Sequence, residues 1–161
     1  VRTVCQNPGM SEGEREAFLQ NFDIHDHTFV AFCIMGGIFS EGIDLIGDKL
    51  IGAVIVGTGL PQVSIRREIL REYYTDKGEN GFDYAYRFPG MNKVLQAAGR
   101  VIRTREDTGV ILLLDERFAD RKYGELFPRE WDDRQSCSLA TLEGKLEEFW
   151  KALDRPENEQ N

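Results

Sequence analysis

Three short apolar runs limit what this chain can fold into. They are Thr28–Met35 (TFVAFCIM), Leu50–Gly57 (LIGAVIVG) and Val110–Leu114 (VILLL). None alternates polar with apolar residues, as a strand with one wet face does. Near-continuous runs of this length are what parallel strands buried on both faces require. Helix-period segments lie between them, and strands alternating with helices predict an α/β domain with a mostly parallel sheet and helices on both faces. In such sheets the loops leaving the strand carboxyl ends collect functional groups. Two loops qualify, residues 36–45 and 57–62.

The remaining elements fit around these runs. Val1–Gln6 reads as a further strand, and a chain that opens inside a strand is expected to be cut from something longer. Ser11 and Glu14 have capping-box spacing, opening a helix with Phe18, Leu19 and Phe22 on its buried stripe. Val63–Tyr74 reads as a helix with Ile65, Ile69, Leu70 and Tyr73 toward the core, and Phe82–Phe88 as a short helix stopped by Pro89-Gly90. Arg117–Phe127 predicts another short helix. Leu139, Leu142, Leu146, Trp150 and Leu153 mark a terminal amphipathic one. The expected organisation is one domain over 1–154 and a polar tail over 155–161.

Met91–Arg103 reads as the helix of greatest chemical interest. Gln96, Arg100 and Arg103 fall at i, i+4 and i+7 on one face, with Met91, Leu95, Ala98 and Ile102 opposite. The polar face holds two guanidinium groups and an amide but no acid. A guanidinium fork matches phosphate oxygens, although a solvated arginine face is the ordinary alternative. The loop over 36–45 is equally pointed: Gly36-Gly37 allows a sharp strand exit, and Ser40, Glu41 and Asp44 surround Gly42.

Charge and cysteine usage narrow the classes. The net charge of −8 is wrong for a free-standing nucleic-acid binder. Residues 61–129, however, hold 13 basic against 11 acidic side chains, so the basic excess surrounds the arginines. Cys5, Cys33 and Cys137 are too scattered for a zinc ribbon or disulfide framework, and Cys5 and Cys33 are expected to be buried thiols in a cytoplasmic protein. No apolar run is long enough to span a membrane. No Gly-x-x-x-x-Gly-Lys-Ser/Thr loop occurs. Leu112–Glu116, which has the look of a magnesium-binding ATPase strand, is therefore read as structural, with Asp115 paired to Arg117.

Ser40-Glu41-Gly42-Ile43-Asp44 resembles motif V of the XPD/DinG-type superfamily 2 DNA helicases. Gln96-Ala97-Ala98-Gly99-Arg100-Val101-Ile102-Arg103 resembles their motif VI, and order and spacing agree. Gly57–Ser64 and Asp115-Glu116-Arg117-Phe118 resemble the family's connecting segments, so the likeness runs over residues 28–131. The resemblance implies a three-layer RecA-like domain, the second of two motor domains that bind ATP in the cleft between them. It implies Arg100 and Arg103 as arginine fingers, Gln96 as a group positioning nucleotide or water, and Gly42 and Asp44 lining the same cleft. Ser40 and Glu41 would couple that cleft to a single-stranded DNA track travelled 5′ to 3′. ATP and Mg²⁺ would be held mainly by the first motor domain of the same protein. That domain would also carry any 4Fe-4S cluster, and an exonuclease fused upstream is a further variant of the plan. No metal site is expected in this chain, and the fragment alone is expected to be inactive. The competing class is a nonenzymatic α/β domain recognising phosphate or an acidic partner.

Overall fold

A computed structural model describes residues 1–24, 26–37, 45 and 49–153. The chain divides after Phe127 into two compact units. In chain order the first holds β1 (Arg2–Cys5), α1 (Glu12–Gln20), β2 (Phe29–Phe32), β3 (Gly52–Val56), α2 (Ile65–Asp76), a π-helical turn (Asp83–Arg87), α3 (Phe88–Ala98), β4 (Val110–Leu114) and α4 (Arg121–Gly124). The second holds α5 (Leu139–Leu153) behind a short 3-10 turn, Arg129–Trp131.

Among the described residues the strands form two parallel pairs. β1 pairs with β2 in the register Arg2↔Phe29 to Cys5↔Phe32. β3 pairs with β4 from Gly52↔Val110 to Val56↔Leu114. Parallel partners need a helical crossover. The first pair has α1, and the second has α2 and α3. The parallel α/β arrangement predicted from the apolar runs is thus present.

Each pair is sealed on one side. Ser11 caps α1 by accepting the Glu14 N–H at 3.4 Å, and the Glu14 carboxylate accepts the Ser11 N–H at 2.7 Å. That hydrogen bond from Ser11 lowers the pKa of Glu14. Phe18 and Phe22 are buried and pack with Val4, Leu19, Phe29 and Ala31, the Phe22 and Phe29 rings meeting edge to face at 5.0 Å. In the second pair α3 packs on β3. Ile55, Met91, Val94, Ala98 and Val101 are all under 5% exposed.

The opposite faces differ from expectation. Val30 and Phe32 are exposed, as are Val54, Val56 and Leu114, and the register puts Val54 beside Leu112 and Val56 beside Leu114 on one continuous surface. The runs are apolar enough for burial on both sides, but one side of each pair is open among the described residues. The face of α2 assigned to the core is likewise open: Ile65 is 83% exposed, Ile69 62% and Tyr73 50%. Cys5 and Cys33 are exposed, not buried: Cys5 alternates with Val4, which packs on the α1 side, and Cys33 lies beyond the end of β2.

Two helix boundaries also moved. Pro89 does not stop the helix before it; the chain stays helical from the π-turn into α3, with Pro89 in the first turn of α3. The segment read as a helix over Arg117–Phe127 is a 3-10 turn (Glu116–Ala119) followed by α4, because Asp115 and Asp120 are both extended and each caps its own start. In α5, Leu142, Leu146 and Trp150 are half-buried as predicted, whereas Leu139 and Leu153 are exposed.

Candidate functional site

The Gln-x-x-x-Arg-x-x-Arg segment straddles a helix end. α3 stops at Ala98 and Gly99 forms its C-cap, donating its N–H to Leu95. The Arg100 N–H bonds Ala97 and the Val101 N–H bonds Ala98, which closes a tight turn. The reading of one helix through Arg103 is therefore corrected. Gln96 stands exposed on the last turn of α3, and Arg100 lies in the turn beyond it. Arg103 lies further on, in irregular chain, and both arginines are half-buried.

The cause is local. Gly99 is a poor helix former and a good terminator, and β-branched Val101 and Ile102 add little helix preference. Asp107 supplies what a continuing helix would have: its carboxylate accepts the backbone N–H of Arg103 at 2.9 Å and of Thr104 at 2.8 Å. The turn also reverses two side chains. Val101 is the residue that goes inward, at 2% exposed, while Ile102, assigned to the buried face, is 48% exposed. A Cβ on Gly109 would come within 2.4 Å of Val101 Cγ1, so the glycine makes room for that valine at the entry to β4.

The opposite, carboxyl end of the β3–β4 pair carries two more features. The loop after β3 turns through Gly57 and Gly59, at φ 84° and 66°, and presses on α3: a Cβ on Gly90 would lie 2.6 Å from the Thr58 carbonyl oxygen. At the end of β4, Arg117 grips Asp115 with two donors, Nε at 2.8 Å and Nη2 at 2.7 Å. That hydrogen-bonded pair holds the Asp115 pKa down to about 2. The pairing of Asp115 with Arg117 expected from the sequence is thus present. Among the described residues no group of three or more His, Cys, Asp or Glu side chains is arranged to hold a metal.

Ser40, Glu41, Gly42 and Asp44 lie outside the described residues. The entry to their loop is described. Gly36 has φ 77°, and the Gln6 side chain accepts the Ile34 N–H at 2.8 Å. A Cβ on Gly36 would sit 3.1 Å from Cδ and Cε of Lys93, one turn before Gln96 on α3. The stem of Lys93 therefore brings the start of that loop against the helix that carries Gln96. Lys93 escaped the sequence reading because it lies outside both motifs. Its i, i+3 spacing to Gln96 was the available signal.

A family model described as the helicase C-terminal domain matches residues 1–134. The chain belongs to that family. It is 30% identical over 134 residues to the regulator of telomere elongation helicase 1 homolog of Caenorhabditis elegans, covering 73% of this chain and 13% of that protein. It is 37% identical over 91 residues to the ATP-dependent DNA helicase DinG of Photobacterium profundum, covering 55% of this chain and 13% of that protein. A solved XPD helicase superposes with a TM-score of 0.61 at 21% identity, covering 76% of this chain and 22% of that one. At that identity the likeness shows the fold, which is RecA-like α/β. This helicase C-terminal domain is of the XPD/DinG type. It spans about an eighth of the length of the two curated relatives.

Proposed function

We propose that this helicase C-terminal domain is the second motor domain of an ATP-dependent DNA helicase that travels 5′ to 3′ on single-stranded DNA. The observation that supports this most is the end of α3. Gln96, Arg100 and Arg103 occupy a single helix-to-turn junction, fixed from inside by Val101 and from outside by the Asp107 carboxylate. Phosphoryl transfer builds charge on the equatorial oxygens, and fixed guanidinium groups stabilise it where it develops. Arg100 and Arg103 act as fingers toward nucleotide held by the first motor domain of the same protein, and Gln96 orients nucleotide or water. Gly42 and Asp44 line the same cleft. Ser40 and Glu41 couple it to the DNA path, which relies on backbone contacts more than on base reading. ATP and Mg²⁺ are bound mainly by the first domain, so fingers and substrate meet only when the cleft closes. Closure ties hydrolysis to domain motion.

An arginine finger is worth roughly 10³–10⁵ in rate. Arg103→Ala in the full-length protein is accordingly expected to lower DNA-stimulated ATP hydrolysis by about 10³-fold or more, with the unfolding midpoint unchanged. Unwinding at the normal rate by that variant would remove Arg103 from the mechanism. The isolated chain is expected to hydrolyse no ATP, and measurable DNA-stimulated turnover by it would count against a shared cleft.

A further inference from the structure

We propose that Arg67 is a positioning residue for the arginine turn, acting through the carbonyl of Ala85; the inference rests on the function proposed above. Pro89 has no N–H, so an α-helical chain here would leave the carbonyl four residues earlier, that of Ala85, without its backbone donor. The chain widens into a π-turn instead, and the Phe88 N–H reaches back five residues to Asp83. Ala85 is 0% exposed, out of reach of water. Arg67 Nη1 donates to its carbonyl oxygen at 2.7 Å. A buried carbonyl left without a donor is costly, and a charge-assisted bond is the stronger kind.

Other contacts fasten the same turn to α2. The buried Tyr86 hydroxyl donates to Glu68, which also pairs with Arg71 at 2.7 Å. The Tyr74 and Tyr84 rings stack at 3.9 Å. Within the turn, Asp83 and Arg87 form a largely buried ion pair. α2 buries no side chain of its own fully, so these ties are what hold it to the turn. The turn in turn sets the rotational phase of α3. From it Gly90, Met91, Val94 and Ala98 face inward, and the helix continues unbroken to Gln96 and the Gly99 cap. Loosening Arg67 therefore loosens the presentation of Arg100.

The test uses the full-length protein and DNA-stimulated ATP hydrolysis. Arg67→Ala is expected to lower kcat about tenfold with KM for ATP within about twofold, the pattern of a contact made in the transition state. In an Arg100→Ala background the same change adds less than about twofold, because the two act through one group. Adding Pro89→Ala to Arg67→Ala restores most of the loss, since an alanine there supplies an N–H for the Ala85 carbonyl. Equal losses with and without Arg100, or no restoration by Pro89→Ala, would overturn the proposal. Amide hydrogen exchange over residues 86–101 reads the same link without activity. Arg67→Ala should speed it and Pro89→Ala reverse that, and unchanged exchange would also overturn the proposal. If the unsubstituted protein hydrolyses no ATP, the motor reading fails while the exchange result still decides the role of Arg67.

Discussion

Gly57 and Gly59 stand two residues apart in one loop, both at positive φ, and alanine at each asks a different question. At φ 84° Gly57 has nothing within 4 Å of an added Cβ. Alanine there meets only the left-handed backbone penalty, about 1–2 kcal/mol. At φ 66° a Cβ added to Gly59 would lie 2.7 Å from the Gly90 carbonyl oxygen and 3.0 Å from Met35 Sδ. The methionine can swing aside, but the carbonyl is fixed inside α3. Overpacking against fixed atoms adds about 1–3 kcal/mol. Gly59→Ala is therefore expected to cost about 2–5 kcal/mol in total and Gly57→Ala about 1–2. For a chain of this size each kcal/mol moves the midpoint by about 2–4 °C. Thermal unfolding of the two variants side by side should place Gly59→Ala at least about 2 °C below Gly57→Ala. Equal midpoints would mean that the loop after β3 does not bear on α3, and the packing argument for Gly90 would fall with it.

Two further outcomes follow from the same structure. Ile55→Ala, at a residue 4% exposed, should cost about 2–4 kcal/mol in urea unfolding of the purified chain, whereas Val56→Ala, at 71% exposed, should stay within about 0.5 kcal/mol; similar losses would refute the one-sided burial of β3. Asp115 is held near pKa 2 by Arg117, below the value of about 3.9 for an unfolded aspartate. Its contribution is present above pH 4 and lost as pH falls toward 2, so Asp115→Asn should flatten the stability profile in that window and nowhere above it.

Much of this architecture is legible in the residues. The apolar runs gave parallel strands, the Ser11–Glu14 spacing gave a capping box, and Asp115 found Arg117. What escaped depended on partners distant in sequence or on one atom. Periodicity carried the arginine helix through Arg103, because Gln96, Arg100 and Arg103 keep helical spacing whether or not the backbone does. Gly99 and the Asp107 carboxylate decided otherwise. Pro89 read as a stop because its missing N–H normally ends a helix. The donor that replaced it sits on Arg67, in a different helix. The apolar stripe of α2 is written for burial, yet Ile65 and Ile69 are exposed among the described residues, and no local pattern distinguishes a face that is covered from one that is not.

The π-turn over Asp83–Arg87 holds one residue more than an α-helix would over the same rise. Length is therefore what this stretch can vary. Deleting a single residue between 83 and 87 would let an ordinary helix close over the same rise, and Gly90 would keep its place against Thr58. The same deletion inside α3 has no spare residue to absorb it and would rotate everything after it by about 100°. Gln96 and the arginines after it are thus shielded from a one-residue gap in the turn and exposed to one beyond it.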